Sequence, residues 1–300
     1  MPVARRWRRQ QFILLLLLVE FAGLTSVSTP ARAASRCTVR DVTSNRSYTG
    51  GGGQLQAAIT AAVRRSTLIV RGRCVGRYHV RKATTFIGKA SKAFPVPTLD
   101  AHGKGITLTV LGIGRVEVRD IRITGGKGTD HRLGGGVYNK ARLILSGATV
   151  VSKNTGVTGG GIWSRGLLEL RDEASVVRNH ARSFFGVGGG IYSAGGLTRL
   201  RNSSAVHANG AGLNGGGIFL WNGHLVVRDH ASVTSNDAGT FGGGVNASSG
   251  MTLRGSARIT GNTATGGGGI YSVAHVFVCS SSVQISPNNP DDPPTTKPCS

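Results

Sequence analysis

A Gly-Gly-Gly-(Ile/Val) tetrapeptide recurs with its first glycine at 134, 159, 188, 215, 242 and 267, at spacings of 25, 29, 27, 27 and 25 residues. Two further elements keep step with it. One is a short alternating apolar run, as in Leu143-Ile144-Leu145, Leu168-Glu169-Leu170, Leu225-Val226-Val227 and Met251-Thr252-Leu253. The other is a Val or Ile followed three residues later by Asn: Val151/Asn154, Val176/Asn179, Val206/Asn209, Val233/Asn236, Ile259/Asn262 and Ile285/Asn288. A unit of about 26 residues with three short strand patterns cannot bury its own apolar side, so units of this kind must stack. Stacking pairs each strand in parallel with its counterpart ~4.8 Å away and gathers the inward Ile, Val and Leu into one apolar column.

The predicted fold is therefore all-β, a parallel β-helix (solenoid), right-handed because parallel strand connections overwhelmingly take that hand. Helical repeats are disfavoured by the Gly and β-branched content, and leucine-rich repeats by the absence of their fixed Leu spacing. Thr67–Arg71, Thr84–Gly88, Ile106–Val110 and Val116–Thr124 read as earlier, less regular coils. Leu55, Ala58, Ile59 and Ala62 fall at helical spacing within Gln54–Arg65, which predicts a short capping helix over the open end of the column, with Arg64 and Arg65 at its C-terminus. The Pro-rich segment after Asn288 is expected to add no strand. The expected organisation is a signal peptide over 1–33, an N-terminal segment with the capping helix over 34–66, a β-helix of about eight or nine coils over 67–288, roughly 40 Å long, and a Pro-rich tail over 289–300.

The order LQAAI, TLIVRG, PTLDAHG, VEVRDIRITGG and then GGGIY and VxxN units resembles bacterial right-handed β-helix proteins of the pectin-lyase-like superfold. The repeats are similar to those of polymorphic outer membrane proteins, whose family pattern pairs GGAI with FxxN. Here GGGI or GGGV stands for the first motif, and Val or Ile replaces Phe. The resemblance spans nearly all of the chain after residue 33 and implies architecture. The superfold hosts lyases, hydrolases, adhesins and passive scaffolds, so it does not select a function.

Arg5, Arg6, Arg8 and Arg9, the largely apolar stretch from Phe12 to Leu24 and Ala31-Arg32-Ala33 read as an export signal cleaved after Ala33. Its apolar run is shorter than the ~20 residues that span a bilayer, and no transmembrane segment is expected after cleavage. The full chain carries +23, and removing the leader's five Arg and one Glu leaves a net charge near +19. A field of that sign attracts acidic glycan, anionic lipid or nucleic acid, and export makes intracellular nucleic acid the poorest of the three. Four cysteines in an exported chain suggest two disulfides; position favours Cys37 with Cys74 and Cys279 with Cys299, although three connectivities are open.

Stacking turns equivalent positions into ladders. Asn154, Asn179, Asn209, Asn236, Asn262 and Asn288 are expected to bond one another along a structural ladder. Tyr138, Trp163, Tyr192, Phe219 and Tyr271, with Asn246 interrupting them, fall on the outer face by strand alternation. They can stack on sugar rings or on one another. Arg171, Arg201, Arg228 and Arg254 form an outward basic column; Asp172 and Asp229 are expected to offset two of them, and Asn202 and Gly255 to leave the others uncompensated. Arg119, Lys153 and Arg178 add to the basic surface.

β-Helix lyases and hydrolases resemble one another in needing clustered carboxylates. Asp172, Glu173 and Asp229 are the weak catalytic candidates here, and Asp100 and Asp120 read as turn residues. No cofactor or metal is expected, since the eight His show no HExxH or HxxxH spacing, and Gly210–Gly215 matches a dinucleotide pattern without the βαβ context it needs. The leading expectation is a secreted or cell-surface, non-catalytic scaffold or adhesin-like protein that binds acidic polysaccharide or a cell envelope through basic and aromatic ladders. The alternatives are a polysaccharide lyase or hydrolase, and a scaffold whose partner is another protein.

Overall fold

In the computed structural model the described residues are 36–128, 134–291 and 296–298. They form an all-β parallel solenoid of about seven turns, with one helix among the described residues. The leader read at 1–33 lies outside them. Each regular turn lays down three main strands. The first follows the glycine triplet and builds an eight-stranded parallel sheet from Tyr78–Val80 to Ile270–Ser272, here called the aromatic wall. The second, the alternating run, builds the arginine wall, with Leu143↔Leu168, Leu168↔Thr198 and Leu225↔Met251 in register. The third carries the VxxN residues and builds the asparagine wall, with Val151↔Val176, Val176↔Val206 and Val233↔Ile259 in register. Two-residue strands such as Gly210–Ala211 close the turn.

Three glycines are needed for three different reasons, as one triplet shows. Gly215 turns the chain with φ +63°. A Cβ on Gly216 would lie 2.3 Å from the Asp237 carbonyl oxygen, and one on Gly217 would lie 2.9 Å from Nδ2 of Asn236. The second glycine thus lets the closing strand pass over it, and the third makes room for the Asn of the VxxN motif. Asn209 shows what that Asn does. Its Nδ2 donates to the Val176 carbonyl at 2.9 Å and to Oδ1 of Asn236 at 3.0 Å, and its Oδ1 accepts from the backbone N–H and Nδ2 of Asn179 at 3.0 and 3.1 Å. The same pattern runs from Asn154 to Asn288. Inside, Leu170, Leu200, Val206, Val227 and Ile218 are fully buried in one continuous column.

The first turns depart from the repeat. β1 (Cys37–Asp41) and β2 (Arg46–Gly50) form an antiparallel hairpin that the sequence pattern did not disclose. β1 also pairs antiparallel with β3 (Ser66–Val75), a ten-residue strand that serves the arginine wall with its first half and the asparagine wall with its second. A disulfide between Cys37 and Cys74 ties β1 to β3. Cys299, the expected partner of Cys279, lies outside the described residues.

Two expectations are corrected. The helix α1 is Gly53–Ala61, shorter than Gln54–Arg65, because Ala62 turns to extended backbone (ψ 136°) and Arg65 takes φ +68° into β3. Arg64 and Arg65 therefore do not sit on its last turn, and Lys82 Nζ donates instead to the carbonyls of Thr60 and Ala62, at 3.1 and 2.8 Å. Leu55, Ala58 and Ile59 join the apolar column. The count of about seven turns lies close to the eight or nine expected, and the aromatic wall ends with Ile270–Ser272. The tail does add a strand, Thr296–Pro298, parallel to Val276–Val278; an outermost strand tolerates a proline, whose missing N–H has no further neighbour to pair with.

Candidate functional site

Arg171, Arg201, Arg228 and Arg254 follow directly on strands of the arginine wall, in one column. The neighbouring outward column, set by register, reads Glu117, Ile144, Glu169, Arg199, Val226 and Thr252. These two columns split the wall. In its lower stretch the carboxylates neutralise the cations. Glu117 is buried, and its two oxygens accept from Arg115 and Arg171 at 2.6 Å each, with the Ser146 hydroxyl donating at 2.8 Å. Burial pushes its carboxyl up, but the bonds from Ser146, Arg171 and Arg115 and the charge of Arg171 outweigh that and hold it below the usual carboxylate range. Glu169, also buried, meets Arg201 at 3.4 Å.

The upper stretch lacks such partners. A shallow groove of about 380 Å³ is lined by Arg199, Arg201, His224, Val226, Arg228, Thr252 and Arg254, with no carboxylate in the lining. Arg228 approaches Asp229 at 3.7 Å, from the groove's rim. His224 Nε2 and the Thr252 hydroxyl share a 2.9 Å hydrogen bond, and burial holds the imidazole pKa below its ordinary value. Arg199 and Arg201 on one turn and Arg228 and Arg254 on the next two, each of fixed charge, can take the oxyanions of a linear polymer by paired N–H donors.

The expected compensation by aspartate is found at Asp229, which meets Arg228, and is corrected at Asp172, which makes no ion pair among the described residues. Asp172 occupies a left-handed corner, φ +59°, and its Oδ2 accepts the Gly147 N–H of the turn before at 2.9 Å. Asp229, φ +61°, accepts from Asn202 N–H in the same way at 2.9 Å. Asp120 accepts the Ala148 N–H of the turn after it at 2.8 Å. These side chains do the work of corner backbone; Glu117 supplies the pairing to Arg171 that Asp172 was expected to supply, and Glu169 pairs with Arg201. Arg201 is thus compensated, despite Asn202 beside it. Glu173 is exposed beside Asp172, and no group of three or more His, Cys, Asp or Glu poised to hold a metal occurs among the described residues. Asp100, buried, ion-pairs with Arg73 and accepts the His102 N–H at 2.7 Å.

On the aromatic wall the rings stack on one another. Tyr138 and Trp163 lie 4.8 Å apart at 18°, Trp163 and Tyr192 6.3 Å apart at 12°, and Tyr192 and Phe219 5.4 Å apart at 4°. Tyr138, Trp163 and Phe219 are only 9%, 8% and 9% exposed, so their faces are taken. Asn246 interrupts the stack, and Tyr271, 37% exposed, pairs with Phe241 at 4.4 Å. Trp221, 51% exposed and 6.4 Å from Phe219, offers the most accessible ring on this wall.

Glu117, Glu169, Arg199 and His224 are the site residues that the sequence reading missed. Strand alternation through Leu197-Thr198-Arg199-Leu200-Arg201 places Arg199 outward beside Arg201 and was the available signal. No protein family, curated protein or solved structure matches this chain in the comparisons made. Among the described residues no helix is long and apolar enough to cross a membrane. The Cys37–Cys74 disulfide is consistent with an oxidising compartment.

Proposed function

We propose that the chain is a secreted or cell-surface β-helix scaffold that binds acidic polysaccharide along the upper arginine wall without catalysis. The observation that carries this reading is the carboxylate-free groove between Arg199, Arg201, Arg228 and Arg254. Arg199 and Arg254, which have no ion pair among the described residues, and Arg228, 3.7 Å from Asp229, hold like charge on rigid neighbouring strands and repel one another, and a polyanion lying along them relieves that repulsion. Polymorphic-outer-membrane-like repeats on a pectin-lyase-like coil suit this role, since such a coil presents one residue type at a regular interval. The aspartates put forward for catalysis are engaged with corner amides, which favours a scaffold over a lyase or hydrolase. The aromatic wall contributes stiffness, each stacked pair adding ~1 kcal/mol.

The test is retention on heparin and alginate columns. Wild-type protein should be held at low ionic strength and released as salt rises, and the Arg228→Ser/Arg254→Ser variant should elute at lower salt. Flow-through of the wild type on both columns at low ionic strength would remove the polyanion reading. New unsaturated products at 235 nm from a polyuronate, or new reducing ends, would replace it with an enzymatic one.

A further inference from the structure

A second basic groove, of about 450 Å³, lies on the asparagine wall. Register places Arg73 and Arg122 in one column at its first edge, while Lys153 and Arg178 hold the opposite edge. Thr124 and Ser152 lie between the edges, and their hydroxyls make no hydrogen bond among the described residues. The groove's one carboxylate, Asp100, is already committed to Arg73 and to the His102 amide. Arg122, Lys153 and Arg178 have no ion pair among the described residues.

The backbone fixes two of these cations. Lys153 and Arg178 occupy the third position of successive VxxN turns, with φ +55° and +54°, and Lys153 N–H donates to the Arg178 carbonyl at 3.1 Å. At the same corner other turns carry Gly125 and Gly261, with φ +67° and +66°, and Ala208 and Ser235, with φ +52° and +54°. A long side chain in left-handed backbone is disfavoured where glycine is at ease. Two stacked cations therefore occupy a left-handed corner that the repeat keeps from turn to turn, facing a groove with free hydroxyls.

We propose that this groove is a second oxyanion site, for the sulfate or phosphate groups of a polymer, and that it makes the protein bivalent, so that one molecule joins two polyanion chains. Cations on both edges and hydroxyls on the floor match a tetrahedral oxyanion with three terminal oxygens better than a two-oxygen carboxylate. The two grooves face out from different walls and are centred about four turns, roughly 19 Å, apart along the stack. The bivalence rests on the polyanion reading of the arginine wall; the second site does not.

The experiment compares wild type, Lys153→Gly/Arg178→Gly and Arg228→Ser/Arg254→Ser. The glycines suit the corner they enter, so the first pair removes charge without straining the fold. Calorimetric titration with a short heparin oligosaccharide should give two sites in the wild type and one in each variant. Full-length heparin should cloud the wild-type protein and neither variant. Each lost cation should also flatten the dependence of log K on log salt by about 1. One site in the wild type, with Lys153→Gly/Arg178→Gly binding unchanged, overturns the proposal and leaves the arginine groove standing. Unchanged binding by Arg228→Ser/Arg254→Ser, with complete loss in the glycine variant, overturns the arginine reading and the bivalence and leaves the second site. In Arg228→Ser/Arg254→Ser, occupancy by heparin identifies sulfate as the natural group, and occupancy by polyphosphate alone identifies phosphate. Occupancy by alginate as tightly as by heparin contradicts the assignment.

Discussion

The lower and upper stretches of the arginine wall share a strand, a register and a column of arginines, yet their charges meet different fates. Below, Glu117 and Glu169 hold Arg115, Arg171 and Arg201 against the wall. Above, the column that supplied those carboxylates supplies Arg199, Val226 and Thr252 instead, and a groove opens. The same guanidinium is structural where a buried carboxylate stands one or two turns beneath it, and available to a ligand where none does.

Several changes can break or sharpen this contrast. The largest effect should come from the ladder that holds both stretches in register. Asn209→Ala strips the Asn179 backbone N–H and the Val176 carbonyl of the side chain that bonds them, at ~1–3 kcal/mol per stranded group, and takes one of several partners from Asn179 Nδ2 and from Asn236 Oδ1. Denaturant titration should show a loss of at least ~3 kcal/mol, and a loss under ~1 kcal/mol would mean that the ladder does not organise the stack.

Next comes the lower stretch. Glu117→Gln removes the charge that Arg115 and Arg171 share and should cost ~1–3 kcal/mol, below the full value for breaking a buried pair because both arginines remain partly solvated. Arg254→Ser in the upper stretch should leave stability within ~0.5 kcal/mol of wild type. Equal losses in the two variants would erase the distinction.

Acid should act in the same direction on several groups. The Glu117 carboxylate is held below its ordinary value of 4.5, so its contribution is present above that pH and is lost as pH falls through the folded-state value. Burial lowers the imidazole pKa of His180, His207 and His224 below the ordinary 6.5, so folding resists their protonation and stability declines as pH drops below 6.5. Melting temperature should fall in two stages on acidification, and Glu117→Gln should flatten the lower one. A melting temperature that rises between pH 6.5 and 4 would contradict this.

The repeat was legible in the sequence because each of its parts has a local reason: the glycines for the corner and for the Asn, the Asn for the ladder, the alternation for the column. Glu117 was not legible. It pairs with Arg171, 54 residues later, across a turn whose equivalent corner holds Ser146, and its own coil has no triplet to align it by. The hairpin β1–β2 and the strand Thr296–Pro298 escaped for a related reason, since each pairs at an end of the stack where the period gives no guide. Asp172 misled because a corner carboxylate is held first by a backbone amide of the adjoining turn, and only at Asp120 and Asp229 does it also reach the arginine beside it.

The most direct test grafts the lower stretch's chemistry onto the upper. Val226 stands in the column of Glu117 and Glu169, one turn beneath Arg254, as Glu169 stands one turn beneath Arg201. Val226→Glu should weaken heparin binding at the arginine groove by at least about tenfold, ~1.4 kcal/mol, while the melting temperature holds. Heparin affinity at that groove unchanged in a folded Val226→Glu protein would show that the free arginines are not the binding surface.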